Sequence, residues 1–204
     1  MSSDLEKLLS GHRHVWRGRG AMTSRGRVLA TGFTVLDAVL PEGGWPADAL
    51  MEVIAPREGI GELQLLLPAM VTAARQGQWL VWIAPPYIPC ASALVASGIS
   101  LQRLLLLRPS RQEDIPWAME KVLRQRRCAM VLAWPGRLKP VVVRRLQLAA
   151  AAGQSLGVLF QHRDGSGSPA ALRLRLAAAA AGLQVDILKS RGACRRQSIH
   201  LTFA

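Results

Sequence analysis

The chain has 204 residues, half of them hydrophobic, and a formal net charge of +13 at pH 7. This length and composition predict one domain with a substantial core. Arg, Gln and Pro interrupt every apolar run before it could cross a membrane, and the first residues do not resemble a secretory signal, so we expect a cytoplasmic protein without membrane partners. The three cysteines form no C-x-x-C pair, which argues against a disulfide framework and a zinc site.

Residues 1–28 are predicted to form a basic arm with a short amphipathic helix, ahead of a single domain over residues 29–204. Trp16 in the arm is a candidate partner-binding residue that could also stack on a base, although packing against the core is the simpler alternative. Arginines in an arm or a hairpin turn can follow a phosphate backbone. The candidate DNA-binding residues are therefore Arg13, Arg17, Arg19, Arg25, Arg27, Arg191, Arg195 and Arg196.

The rest of the chain alternates helical and strand patterns. After a helix at 31–40, a loop with Gly and Pro holds Trp45, a second candidate partner-binding residue, because Trp in a loop suits protein docking. Apolar strands separated by helices predict a mostly parallel α/β sheet covered on both faces. Strands are expected at 49–55, 79–84, 104–107, 129–134 and 156–161, and helices at 62–76, 90–96, 115–125 and 141–152. The alternating segments 172–181 and 183–189 predict a hairpin, with 198–203 as a third strand of a C-terminal antiparallel β extension.

A basic stretch lies in the second half of the chain. Nine Lys and Arg residues and no acidic residue lie between Glu120 and Asp164. Such a stretch favours binding to DNA or to an acidic protein. A solvated basic face without a specific partner is the alternative.

Residues 54–67 are laid out like a phosphate-binding loop, with an apolar strand, a turn containing Pro56, Gly59 and Gly61, and a helix start. Glu62 stands where such a loop has lysine, and Leu63 stands where it has Ser or Thr. A unit charge about 4 Å from a phosphate contributes about 4 kcal/mol at an effective dielectric of about 20, so glutamate turns attraction into repulsion. We expect a degenerate phosphate loop without nucleotide. The alternative is an ordinary strand-to-helix turn.

The order of these elements resembles the RecA core. Segments 40–46, 59–68 and 83–87 are more closely similar to ImuA, a bacterial RecA-like family encoded with translesion-synthesis proteins, and the resemblance extends over residues 31–203. It implies a RecA-like α/β core. It also places Pro86 where a water-activating carboxylate is expected and Trp134 where a metal-orienting Asp is expected. With Glu62, these substitutions imply a protein that is not an enzyme and has no cofactor or metal.

The resemblance further implies an accessory role in damage-induced (SOS) error-prone translesion DNA synthesis, in the cytoplasm and associated with the nucleoid. The implied partners are an ImuB-like polymerase homologue, RecA, an error-prone polymerase and single-stranded DNA. An active ATPase is disfavoured by the missing catalytic groups.

A second interpretation belongs to another class. Residues 79–86 are also similar to cell-division inhibitors of the SulA type, which would act by capping a tubulin-like division GTPase. A chain of that type is expected to end near the strand at 156–161, whereas this one continues to residue 204.

Overall fold

The computed structural model describes residues 27–165, 167–191 and 197–203. The helices of these segments are α1 (Thr34–Val39), α2 (Glu62–Arg75), α3 (Ala91–Ala96), α4 (Ile115–Leu123) and α5 (Pro140–Gly153). The strands are β1 (Val28–Leu29), β2 (Trp45–Pro46), β3 (Leu50–Ile54), β4 (Trp79–Ile83), β5 (Leu104–Leu107), β6 (Cys128–Ala133), β7 (Leu156–Gln161), β8 (Leu172–Ala179), β9 (Gly182–Lys189) and β10 (Gln197–Leu201). None of the helices in these segments is long and apolar enough to span a bilayer.

One eight-stranded sheet organises the domain, in the order β10-β9-β8-β3-β7-β6-β4-β5. The six strands from β8 to β5 run parallel to their neighbours, whereas β9 and β10 add antiparallel ladders. β1 and β2 form a separate two-stranded ribbon. The carboxyl ends of β3, β4, β6 and β7 therefore lie together at the same end of the sheet.

The burial of each strand depends on whether helices pack on one or both faces of the sheet at that strand. β3 and β6 are buried at every position because helices pack on both faces of the sheet. α2 covers one face through Leu66 and Met70, and α4 and α5 cover the other through Met119 and Leu146.

The hairpin of β8 and β9 has one buried face. Leu174 and Leu176 are buried, and the period of two in the sequence places Arg173 and Arg175 on the opposite face, where Arg175 is exposed and Arg173 is largely buried against Glu52. Gly182 begins β9 with φ of 140°, and a Cβ there would lie 2.0 Å from the Leu201 carbonyl oxygen. Only glycine fits this close approach of β9 to the end of β10.

Candidate functional site

The loop that resembles a phosphate-binding loop connects β3 to α2. Gly59 and Gly61 have φ of 78° and 113°, a left-handed backbone that glycine adopts at low cost. A Cβ on Gly61 would also lie 2.9 Å from the Phe203 ring. The glycines therefore serve the local path of the chain, as an ordinary strand-to-helix turn would require.

The carboxylate of Glu62 is held inside this loop. One oxygen accepts a hydrogen bond from the Gly59 N–H at 2.8 Å, and the other accepts one from the Ile60 N–H at 3.0 Å. Glu62 is only 7% exposed. These are backbone donors of the kind that cradle a phosphate oxygen, so the chain supplies its own anion to the loop.

A cavity of about 270 Å³ opens beside this loop, at the carboxyl ends of β3, β4, β6 and β7. Trp134 forms one wall and stacks on Phe160, with ring centroids 4.5 Å apart and an interplanar angle of 13°. Pro86 also lines the cavity. The two positions predicted to lack catalytic groups thus lie where a parallel α/β sheet usually binds ligands, and they carry apolar side chains.

Polar and charged side chains form half of the cavity lining, namely Arg57, Glu58, Glu62, Gln112, Gln161 and His162. His162 Nε2 lies 3.1 Å from Glu58 Oε1, and the Gln112 side-chain amide donates to the Pro135 carbonyl at 3.2 Å. No group of three or more His, Cys, Asp and Glu side chains is placed to hold a metal ion anywhere in the described segments.

The structure locates three of the other predicted site residues. Arg27 is exposed, and Arg191 lies 3.6 Å from the carboxylate of Asp48. Trp45 is fully buried in the same core cluster as Leu29, so it offers no surface for docking. Arg13, Arg17, Arg19, Arg25, Arg195, Arg196 and Trp16 lie outside the described residues.

Sequence reasoning missed an apolar surface at the β5 end of the sheet. Within the described segments β5 pairs with β4 alone, which leaves its other edge without a strand. Tyr87 and Ile88 are 71% and 75% exposed, and the remaining large exposed apolar side chains nearby are Val95, Leu101, Leu105 and Leu106. We call these six residues the edge surface. Leu105 and Leu106 follow each other in β5 and therefore lie on opposite faces of the sheet, so exposed apolar side chains flank the unpaired edge on both sides. Exposed apolar surface at an unpaired sheet edge is typical of sites of protein association.

The charges around the edge surface have one sign. No acidic residue lies between Glu62 and Glu113 in the sequence, whereas Arg75, Arg103 and Arg108 fall in that interval. Arg103 also lies over the ring of Trp79, at 5.5 Å from the centroid. The one signal for this surface in the sequence was the run of four leucines at 104–107, which an edge strand does not fully bury.

The sheet, the loop that holds its own carboxylate and the apolar edge define an α/β domain with a mostly parallel sheet. A family model described as "Cell division inhibitor SulA" matches residues 50–157, just over half of the chain. The chain belongs to this family.

Individual relatives agree with the family match. The cell division inhibitor SulA of Edwardsiella piscicida is 34% identical over 110 residues, which are 53% of this chain and 66% of that protein. SulA of Yersinia pestis (strain Pestoides F) is 32% identical over 115 residues, 54% of this chain and 68% of that protein. The crystal structure of SulA from Pseudomonas aeruginosa is similar at a TM-score of 0.46 and 24% identity, and covers 54% of this chain and 96% of that one. The chain thus spans about two thirds of the length of the curated relatives it matches.

These findings correct several predictions. Membership in the ImuA family and a RecA-like core as the fold class are wrong, because the family that matches is SulA. The role in translesion synthesis and the partners deduced from it, namely an ImuB-like protein, RecA, an error-prone polymerase and single-stranded DNA, are overturned with them.

The physical reason lies in the motifs that carried the resemblance. Segments 59–68 and 83–87 fall inside the SulA match, and their glycines and prolines serve local geometry. Gly59 and Gly61 turn the chain from β3 into α2, and Ala84 has a positive φ of 52° before Pro85. Any parallel sheet with these connections needs such turns, so they do not separate one family from another.

Proposed function

We propose that this chain is a cell-division inhibitor without enzymatic activity, which acts in the cytoplasm by binding the tubulin-like division GTPase. The observation that carries this function is the family match over residues 50–157, supported by relatives named cell division inhibitor at 34% and 32% identity. The alternative stated from the sequence thus replaces the translesion role.

The loop between β3 and α2 and the cavity beside it support a protein without nucleotide hydrolysis. Hydrolysis of a nucleotide requires free N–H donors, a cation and a carboxylate that orients water or metal. Here the Gly59 and Ile60 N–H groups bind the Glu62 carboxylate, and Pro86 and Trp134 line the adjacent cavity. A triphosphate would have to displace a buried carboxylate of its own charge sign.

The edge surface is the part of the described chain best suited to contact the GTPase. It combines six exposed apolar side chains with a sheet edge that has no strand partner in the described segments. Apolar contacts with aromatic anchors such as Tyr87 supply most of the free energy in protein interfaces. The arginines around it favour a partner surface that carries carboxylates.

The test combines the purified chain with the purified division GTPase of the same organism and measures GTP hydrolysis and light scattering by its polymers. The wild-type chain should reduce both in proportion to its concentration. Tyr87→Ser with Leu105→Ser should weaken inhibition at least tenfold, because each removes an exposed apolar contact without touching the core. Trp117→Ser with Val141→Ser removes equally exposed side chains from other helices and should inhibit like the wild type.

Two results would overturn the proposal. Wild-type chain that leaves polymerisation unchanged at stoichiometric excess would reject division inhibition through this partner. Release of phosphate from ATP or GTP by the chain alone at enzymatic rates would reject the non-enzymatic assignment.

A further inference from the structure

α4 and α5 lie side by side on one face of the sheet, because they precede the neighbouring parallel strands β6 and β7. Each helix presents an exposed stripe with residues spaced by three, four and seven positions. The stripe of α4 contains Trp117, Lys121 and Arg124, and the stripe of α5 contains Val141, Arg144, Arg145 and Leu148. We call these seven residues the α4–α5 face.

One carboxylate joins the two stripes. Glu120 accepts a hydrogen bond from Arg124 at 3.1 Å and forms an ion pair with Arg145, whose Nε lies 2.7 Å from its other oxygen, so it links the two helices through their arginines. Neither Lys121 nor Arg144 has a carboxylate within ion-pair distance in the described part of the chain. With Asp114, which is exposed at the N-cap of α4 three positions before Trp117, four cations stand against two carboxylates and leave the face positive, and Arg137 and Lys139 are exposed in the segment before α5.

The apolar residues of this face protrude. Trp117 is 60% exposed and Val141 is 72% exposed, both in the first turn of their helices, and Leu148 further along α5 is 55% exposed. Lys121 Nζ lies 5.9 Å from the centroid of the Trp117 ring. Cations therefore occupy the middle of the face, and apolar side chains occupy its two ends.

The order of cations and apolar side chains on the α4–α5 face favours one class of ligand over the others. Protein interfaces have an apolar centre depleted of charge and a polar rim, which is the reverse of this order. A nucleic acid would satisfy the cations, but its phosphates give exposed Val141 and Leu148 no apolar environment. A second copy of the chain would bring like charges together on a molecule of net charge +13. An anionic bilayer offers phosphates to the cations and an apolar layer to Trp, Val and Leu.

We propose that the α4–α5 face binds the surface of anionic lipid bilayers. The arginines and Lys121 contact headgroup phosphates, while Trp117, Val141 and Leu148 enter the boundary between headgroups and acyl chains. This peripheral contact goes beyond the proposed division inhibition, because it uses a surface that does not include the edge surface. It also departs from the expectation of no membrane partner, which was based on the lack of a membrane-spanning apolar run, because a peripheral contact needs no such run.

The experiment is flotation of the purified chain with vesicles. One set contains phosphatidylcholine alone, and the other contains about 30% phosphatidylglycerol, close to the anionic content that attracts polybasic segments. We expect retention on the anionic vesicles and little on the neutral ones. Each cation near an anionic surface raises partition about fivefold, so Lys121→Glu with Arg144→Glu should lower it at least tenfold.

Matched variants make the test specific. Arg57→Glu with Arg75→Glu changes net charge by the same amount at exposed positions elsewhere, and should retain most of the binding. Val141→Ser with Leu148→Ser keeps every charge, and should lower partition several-fold. Circular dichroism and thermal melts confirm that each variant is folded.

Several outcomes would overturn the proposal. Equal binding to neutral and anionic vesicles would show that the cations do not contribute to binding. Equal losses of vesicle binding in both charge-reversal pairs would show that binding does not depend on the α4–α5 face. The chain could also bind single-stranded DNA or heparin more strongly than vesicles, with no change in affinity when Val141→Ser and Leu148→Ser are combined. That result would show that the face binds polyanions instead of a bilayer. None of these outcomes depends on inhibition of the division GTPase.

Discussion

Glu62 shows how one side chain changes what a loop can bind. From charge alone, a glutamate at this position predicts repulsion of phosphate. The structure adds a structural role, because both carboxylate oxygens accept backbone hydrogen bonds from Gly59 and Ile60. Its position also resembles a capping box, in which a glutamate in the first turn reaches back to N–H groups ahead of the helix. The residue thus stabilises the start of α2 while it closes the loop to anions.

Replacing Glu62 should therefore destabilise the fold. Glu62→Ala leaves the partly exposed Gly59 and Ile60 N–H groups without their side-chain acceptor and should lower the free energy of unfolding by about 1 kcal/mol. Glu62→Gln keeps one amide oxygen as acceptor and should lower the free energy of unfolding by less than Glu62→Ala does. Urea denaturation followed by circular dichroism measures both. Gln64→Ala, at an exposed position of the same turn, is the control, and a Glu62→Ala variant as stable as this control would show that the hydrogen bonds contribute nothing.

Glu42 provides a pH-dependent prediction at the same scale. Burial raises the pKa of its carboxyl above the ordinary 4.5, with Arg191 opposing the shift and Asp48 adding to it. Because the folded pKa is raised, the protonated carboxyl stabilises the fold below about pH 4.5, and this contribution is lost as the pH rises through the folded pKa. Glu42→Gln should match the wild type near pH 4 and be more stable at pH 7.

Unfolding midpoints in urea at pH 4, 5, 6 and 7 measure this difference. Glu113→Gln is the control, since the side chain of Glu113 is 64% exposed. If Glu42→Gln raised stability by the same amount at every pH, the effect would not come from ionisation of Glu42.

The contact between α4 and α5 depends on a glycine. Gly153 ends α5, and a Cβ there would lie 1.8 Å from the Leu123 carbonyl oxygen at the end of α4. Because the backbone fixes the position of a Cβ and the Leu123 oxygen is a backbone atom, no side-chain rotation relieves the overlap. Gly153→Ala should lower the free energy of unfolding by about 1–3 kcal/mol, the usual cost of overpacking. Gly165→Ala, which meets no atom within 4 Å, should have little effect in the same thermal melt.

The elements show what a local pattern can predict. The continuous apolar runs at β4 and β6 and the alternating run at β8 lie within a residue or two of their expected bounds, because periodicity depends only on which face is covered. Trp45 was expected at the surface because Gly and Pro surround it. It is buried because β2 pairs with β1 and lies over the core, a tertiary contact that no local pattern contains.

The candidate site was predictable to a smaller extent. The bounds of the loop between β3 and α2 followed from the sequence, whereas Pro86 and Trp134 were chosen through the resemblance to the RecA core. The closure of the loop by Glu62 and the exposure of the edge surface required coordinates, since the first depends on hydrogen-bond geometry and the second on β5 being the last strand of the sheet.

At the scale of the whole molecule, a buried ion pair joins segments distant in sequence. Glu52 in β3 accepts from Arg173 Nε at 2.7 Å and from the Ser168 hydroxyl at 2.6 Å, while Arg173 also contacts Asp164. The two partners are 121 positions apart, so no local pattern could indicate that they meet. The pair fixes the crossing from β7 to β8 against the centre of the sheet.

A double-mutant cycle tests this link. Arg173→Met leaves the Glu52 carboxylate buried without its cation and should cost about 3–5 kcal/mol of unfolding free energy. Glu52→Leu combined with Arg173→Met replaces the pair by apolar groups and should recover much of that loss. Chemical denaturation of the wild type, both single variants and the double variant gives the coupling, and strictly additive losses would refute a buried pair.

The segment beyond the family match belongs to the same core. The match ends at residue 157, yet Leu174, Val185, Ile187 and Ile199 of β8 to β10 lie in one buried cluster with Met51 and Leu66. β8 also supplies the parallel neighbour of β3 on one side. In this chain β3 therefore has a strand partner on both sides, β7 at the end of the family match and β8 beyond it.

A chain cut after Arg163 should thus lose cooperative folding. It would expose one edge of β3 and the apolar face that the hairpin covers, and exposed edges and apolar surfaces promote aggregation. We expect a broad thermal transition and strong binding of a hydrophobic dye, in contrast to the full chain. Addition of residues 164–204 as a separate peptide should restore part of the sharp transition, since the missing strands then pair with β3. A sharp melt of the shortened chain alone would instead show that residues up to 163 form a core of their own.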